Sequence, residues 1–230
     1  MYGSAVRLAA LALGLGALWS ATASTVRLDL MPLPRSALGS GSGALVLAPD
    51  SGVASNAYAA HDAEHGVTAA DLAKRGRITG YVLDYVVPDA IVPQARQELL
   101  GVRTIAELYR GPAAATGALA FWRRVTRELA GPHANAVTVS VATFPTRIDD
   151  GSFGFEVTYR QAREPLYRVG DVVFRTGRLL GSVFVTATEE AGLRERTVQL
   201  ADRLASRIRR VLDGQIKASA VPLPSRDGHG

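Results

Sequence analysis

Residues 169–187, VGDVVFRTGRLLGSVFVTA, contain the pattern that decides the fold. Two apolar-rich runs flank Thr176-Gly177, a dipeptide suited to a tight turn because glycine adopts positive φ at no steric cost. Upstream, apolar and polar residues alternate over 137–141 (VTVSV) and 153–159 (FGFEVTY), and residues 149–152 (DDGS) supply a turn between them. Alternation with a period of two is typical of half-buried strands. The last third of the chain therefore predicts an antiparallel meander.

A further strand is predicted over residues 77–87, RITGYVLDYVV, with Tyr81 and Tyr85 on one face. Both faces of this run are largely apolar, so the strand should lie inside the sheet. Asp84 interrupts the apolar run. Because an unpaired buried carboxylate is costly, we expect Asp84 to pair with an arginine or to lie at an opening.

Two helices are predicted beside these strands. Residues 112–130 begin with proline and alanines and carry Trp122 on an apolar stripe. A longer helix should begin at a capping box of Thr186 and Glu189, and its apolar stripe runs through Leu204. The predicted fold class is α+β: a mostly antiparallel twisted sheet, including the C-terminal meander, packed by an alanine-rich helix and a long C-terminal helix.

Four arginines, Arg196, Arg203, Arg207 and Arg210, follow one flank of the C-terminal stripe. A basic flank is found on helices that bind a membrane surface or a partner protein. It is also found on the solvated side of a helix packed against a sheet, and the ordinary width of this stripe favours that interpretation.

The first 23 residues have the three parts of a secretory signal peptide. Arg7 precedes an apolar run over residues 8–19, and Ala21-Thr22-Ala23 offers the small residues of a cleavage site. The run is shorter than the roughly 20 residues of a spanning helix, so we expect an exported chain, secreted or extracytoplasmic, with no permanent membrane span. The predicted organisation is a signal peptide (1–23), a flexible segment (24–43), a single α+β domain (44–214) and a disordered tail (215–230).

Composition restricts the covalent and electrostatic possibilities. The 230 residues include no cysteine, which excludes disulfides and a lipidated cysteine and leaves the core to hold the fold. Lys and Arg number 26 against 21 Asp and Glu, a net charge of +5. A modest basic surplus can attract anionic lipid or acidic wall polymers. Arginine carries nearly all of this surplus, however, and codon bias in a genome rich in G and C produces the same excess of arginine. We predict no nucleic-acid partner, and the oligomeric state stays open.

No sequence motif specifies a reaction. The glycine and serine residues at 39–43 have the wrong phase for a nucleophile elbow, and no Gly-Lys-Ser/Thr follows them as in a phosphate loop. His61 and His65 are four residues apart and on a helix could hold two corners of a zinc site, but the HExxH order and an evident third ligand are missing. We therefore predict no catalytic residue, no metal and no cofactor, and a non-enzyme is favoured.

Four segments carry a resemblance to known proteins: residues 33–60 (LPRSALGSGSGALVLAPDSGVASNAYAA), 72–85 (LAKRGRITGYVLDY), 102–110 (VRTIAELYR) and 169–187. They resemble a group of exported actinobacterial proteins. The order of strand, alanine-rich helix, meander and C-terminal helix is more distantly similar to the extracellular sensor domains of mycobacterial receptor kinases and to LpqN-type lipoproteins, which are PsbP-like. The resemblance covers about residues 31–213 and implies an extracytoplasmic role with no catalytic residues to transfer. The missing lipidated cysteine argues against a membrane tether.

Three functional classes remain open. The first is a non-enzymatic cell-envelope protein that binds a small apolar or wall-derived ligand between sheet and helix, with Tyr81, Tyr85 and Trp122 lining the groove. The second is a secreted hydrolase whose site is not visible in the sequence. The third is a protein-interaction module that works through an exposed apolar surface.

Overall fold

The computed structural model describes residues 26–63, 66–88, 99–133, 136–161, 164–188 and 191–217. Within them the chain forms four α-helices, three short 3-10 helices and one nine-stranded sheet. The α-helices are α1 (Asn56–Asp62), α2 (Ala69–Lys74), α3 (Pro112–Glu128) and α4 (Leu193–Leu212), and the 3-10 helices are Leu28–Leu30, Arg35–Ala37 and Ser42–Ala44. The strands are β1 (Val46–Leu47), β2 (Gly52–Ala54), β3 (Arg77–Val86), β4 (Leu99–Tyr109), β5 (Gly131–Pro132), β6 (Val137–Phe144), β7 (Ser152–Gln161), β8 (Glu164–Thr176) and β9 (Leu179–Ala187). This architecture confirms the predicted α+β fold class.

The strands are ordered β1-β3-β4-β9-β8-β7-β6-β5, and β2 also pairs with β3. All the described pairings are antiparallel. Strands β6 to β9 pair in succession, which confirms the predicted meander, and β9 continues the sheet by pairing with β4. The β8–β9 turn contains Gly177 at φ +59°, a conformation that favours glycine.

One face of the sheet, called here the α4 face, packs against α4 and the N-terminal segment of residues 26–45. The stripe predicted on α4 is buried there, and Leu204 is 0% exposed. Helix and sheet approach closely at Gly170 of β8, where an added Cβ would lie 2.2 Å from Thr197 Oγ1. A side chain at position 170 would therefore push the helix away from the sheet.

Residues 26–43 fall in the segment that was predicted to be flexible, yet their apolar side chains pack into the core. The segment's side chains Leu30, Met31, Leu33 and Leu38 are buried, so the packed domain includes residues 26–43 and does not begin at residue 44. The sequence suggested a linker because glycine and serine dominate residues 39–43, whereas the buried leucines lie just before that run.

Three of the four flanking arginines of α4 hold this N-terminal segment. Arg196 Nη2 donates to the Ser40 carbonyl at 2.7 Å and Arg203 Nη1 to the Ala37 carbonyl at 2.8 Å. Arg207 Nε donates to the carbonyl of Leu30 at 2.7 Å. The basic flank thus contributes to packing within the chain, which neither sequence interpretation had included.

The predicted start of the C-terminal helix is wrong. Thr186 lies in β9, and α4 begins only at Leu193, after Gly192 in a left-handed conformation at φ +72°. The strand continues through Thr186 because residues 179–187 pair on both sides, with β4 and with β8. Glu189, the other member of the predicted capping box, lies outside the described residues.

The opposite face, called here the α3 face, carries a second core. Tyr109, Phe155 and Leu180 pack there against α3, while Leu72 and Phe121 form a smaller cluster where α2 meets α3. None of the helices in the described ranges combines the length and the hydropathy of a membrane span. The predicted signal peptide (1–23) and all but the first three residues of the predicted tail (215–230) lie outside the described residues.

Candidate ligand-binding cleft

A cleft of about 400 Å³ lies on the α3 face, between α3, α1 and the sheet. Its walls are largely apolar: Trp122, Val125 and Leu129 come from α3, and Val157, Val169, Val173 and Phe184 come from the strands. Five charged residues also line it, namely Asp62, Arg77, Arg103, Glu107 and Asp171. The cleft therefore combines an apolar body with a few polar groups, as small-molecule sites usually do.

Strand register aligns part of the cleft floor. Arg103 of β4 is the partner of Phe184 in β9, and Phe184 is the partner of Asp171 in β8. Neighbouring strands are about 4.8 Å apart, so Asp171 lies about 10 Å from Arg103 along this row. Residues directly opposite each other in a sheet point to the same face, which is why all three side chains line the cleft.

Asp171 is the one charged residue of the floor without an ion pair among the described residues. It is 3% exposed, and its Oδ2 accepts a long hydrogen bond of 3.5 Å from Thr126 Oγ1 on α3. Its Oδ1 is buried and has no hydrogen-bond partner in the described part of the chain. Burial raises the pKa of Asp171 to about 7, against a smaller lowering by the Thr126 hydroxyl. The site thus holds a buried acceptor that lacks a donor, which costs free energy unless something fills it.

Arg77 and Glu107 form a buried pair at one end of the cleft. Arg77 Nε lies 2.7 Å from Glu107 Oε1, and the Tyr109 hydroxyl donates to Glu107 Oε2 at 2.9 Å. The Arg77 guanidinium also donates to the Ala54 carbonyl at 3.0 Å. Both oxygens of Glu107 are therefore occupied, and this pair serves as a fixed wall.

Arg103 is held between two carboxylates. Its guanidinium lies 2.7 Å from Asp84 Oδ2 and 2.6 Å from Asp62 Oδ1. Burial raises the pKa of Asp84, and the attraction of Arg103 opposes that rise. Of the two alternatives predicted for Asp84, an arginine partner or a place at an opening, the structure shows the arginine partner, and Arg103 links β3 to α1 beside the cleft.

Comparison with known proteins identifies a shared fold. Neither a protein-family model nor a curated protein sequence matches the chain. Among solved structures, the extracellular domain of PknH from Mycobacterium tuberculosis is similar, with a TM-score of 0.51 and 12% sequence identity. The match covers 78% of this chain and 95% of that chain. At this identity the likeness concerns the arrangement of sheet and helices.

The predicted site residues lie on two faces of the sheet. Trp122 lines the cleft, whereas Tyr81 (6% exposed) and Tyr85 (2% exposed) belong to the core of the α4 face. Burial raises the pKa of the Tyr85 hydroxyl, which has no hydrogen bond of ordinary geometry within the described residues. The expected tyrosine and tryptophan groove is therefore not assembled, because α3 covers the face to which the alternate residues of β3 point.

Asp171 was missed by the sequence reasoning although a signal was present. It stands between Val169 and Val173, at a position where the strand alternation calls for an apolar residue. An aspartate on the apolar face of a strand indicates a functional or paired group by the same argument that singled out Asp84. The described residues contain no group of three side chains that could hold a metal ion. Of the two histidines considered for a zinc site, His61 lies within the described residues and His65 lies outside them.

Proposed function

We propose that the protein is an extracytoplasmic, non-catalytic domain that binds a small apolar molecule in the cleft of the α3 face. The observation that carries this proposal is the largely apolar cleft of about 400 Å³ with a buried polar group at its floor. A volume of this size holds a small ligand and buries most of its surface. The signal-peptide pattern of residues 1–23 and the likeness to an extracellular domain support the location.

The polar residues of the cleft favour binding over catalysis. Ser182 and Thr126 are hydroxyl groups at the cleft, but no histidine lies among the described lining residues to activate them. Glu107 is occupied by Arg77 and Tyr109, so it does not form a free carboxylate pair with Asp171. Hydrolysis by two carboxylates needs both groups available to substrate and water.

The absence of cysteine allows a direct test of cleft occupancy. Val169→Cys places one thiol on the floor, and Val53→Cys places one on an exposed strand position, 65% exposed and outside the cleft. Octan-1-ol is the probe, because it is apolar and uncharged. At ten times its dissociation constant, it should slow alkylation of the floor thiol by N-ethylmaleimide about tenfold and leave the Val53→Cys rate unchanged. Equal rates with and without octan-1-ol at both thiols would refute binding in the cleft.

Export is tested separately. N-terminal sequencing of the protein recovered outside the cell should begin at Ser24, as the small residues before it predict. Recovery of the protein only inside the cell would contradict an extracytoplasmic role without affecting the cleft assay.

A further inference from the structure

We infer that the cleft selects a cationic ligand, an alkylammonium or arylammonium ion whose N–H groups bind Asp171 while its apolar part occupies the cleft. This inference rests on the proposed function and adds the chemical class of the ligand.

The first reason is the unfilled hydrogen bond at the cleft floor. Asp171 lines the cleft, and among the described residues its buried Oδ1 has no donor, while Oδ2 has only the long contact with Thr126. A buried carboxylate is stable in the charged state only when donors surround it. An ammonium group supplies three donors and a positive charge in one small head, whereas a hydroxyl supplies one donor and no charge.

The second reason is the balance of charge around the cleft. Its described lining contains two arginines, Arg77 and Arg103, and three carboxyl groups, Asp62, Glu107 and Asp171. Arg77 is paired with Glu107 and Arg103 with Asp62, so Asp171 is the surplus acid. A buried site with one surplus acid favours a cation and repels an anion.

The charged and titratable groups around Asp171 do not change this balance. From α3, Arg127 lies over the Phe155 ring, 5.9 Å from its centroid, and is exposed to solvent. From the sheet, Tyr159 lines the same cleft, and Arg103 and Glu107 are engaged as described. From α1, Asp62 is bound by Arg103, and the Tyr58 hydroxyl donates to Asp50 at 3.0 Å. Within the described residues, none of these groups forms an ion pair with Asp171.

The third reason is the nature of the walls. Trp122, Tyr159 and Phe184 contribute aromatic rings to the cleft lining, beside several valines. Aromatic faces attract an ammonium ion through the ring quadrupole, and they also pack against an apolar tail. The same ring faces are negative and do not attract a carboxylate head.

A binding series on the Val169→Cys protein tests the inference with octylammonium, octan-1-ol and octanoate as probes. All three share the same chain and differ in the head group. By protection from alkylation at pH 8, octylammonium should bind at least ten times more tightly than octan-1-ol, and octanoate should bind most weakly. Affinity for octylammonium should fall toward pH 5.5, because Asp171 must then lose a proton to bind the cation, while affinity for octan-1-ol should change little.

Asp171→Asn, added to the same cysteine variant, separates charge from shape. It should reduce octylammonium affinity at least tenfold and leave octan-1-ol affinity nearly unchanged. Asp202→Asn, at an exposed position of α4, is the matched control and should have no effect. The pH profile of the unsubstituted Asp171 protein gives an independent answer if Asp171→Asn does not fold.

The outcomes distinguish the two proposals. Equal affinity for the amine and the alcohol, tighter binding of octanoate, or amine binding that is insensitive to Asp171→Asn would overturn the ammonium inference and leave apolar binding in place. Failure of all three probes to protect the floor thiol would overturn both.

Discussion

Asp171→Asn should stabilise the protein increasingly as the pH rises from 5 to 7. In the folded chain burial raises the pKa of Asp171 to about 7, whereas an unfolded aspartate has a pKa of about 3.9. Between these values the folded state keeps a proton that the unfolded state has lost, so the stability of the original protein falls with rising pH. The slope is about 1.4 kcal/mol per pH unit for one proton and falls off near pH 7, where the folded state itself loses the proton, which gives about 2 kcal/mol between pH 5 and 7. Asparagine does not titrate and removes this loss.

Urea unfolding of both proteins at pH 5, 6, 7 and 8 measures the effect, with Asp202→Asn as the control for removal of one negative charge. Other titrating groups, such as Asp84, are present in both proteins, so the difference between the two free energies of unfolding isolates Asp171. The difference should grow by about 2 kcal/mol between pH 5 and 7 and level off above about pH 8. Parallel profiles for the two proteins would show that Asp171 is hydrated or paired, and would refute the buried, unpaired carboxyl on which the ligand inference depends.

Three further predictions concern the α4 face. Leu204→Ala should lower the free energy of unfolding by about 2–5 kcal/mol in urea denaturation, because the side chain is fully buried. The control Ser206→Ala, at an exposed position, should change it by less than about 0.5 kcal/mol, and equal losses would mean that the buried face of α4 is misassigned. Gly170→Ala should lower the free energy of unfolding by about 1–3 kcal/mol in the same measurement, because the new Cβ meets the Thr197 hydroxyl at 2.2 Å. Adding Thr197→Ala removes that hydroxyl and should recover part of the loss, and no recovery would place the strain elsewhere. Arg207→Ala should speed amide hydrogen exchange in the N-terminal segment, since it removes a charged donor to the Leu30 carbonyl. Unchanged exchange rates there would show that this contact does not hold the segment in place.

Much of the sheet was predictable because its signals are local. Alternation over 153–159 and the turn at Gly177 identify strands and hairpins from residues only a few positions apart. The pairing of Asp84 followed from a general cost, since a buried carboxylate needs a partner wherever the chain places it. The identity of that partner, Arg103, required the register of β3 with β4.

The three residues predicted to line one groove lie on two faces of the sheet. Trp122 lines the cleft of the α3 face, whereas Tyr81 and Tyr85 belong to the core of the α4 face. Alternation states which residues of a strand share a face, and it does not state which face a given helix will cover. The packing of residues 26–43 was not foreseen for a similar reason, because the arginines of α4 that contact this segment lie more than 150 positions away in sequence.

The sequence by itself determined the fold class, the antiparallel meander and the apolar stripe of the last helix, since each depends on the periodicity of neighbouring side chains. Only the tertiary structure decided the contents of the two faces: α4 and the N-terminal segment on one, α3 and the cleft on the other. It also decided that Asp171 meets Thr126 and, within the described part of the chain, no cation. These contacts join residues far apart in the chain, and packing of the complete core selects them, so no local pattern encodes them.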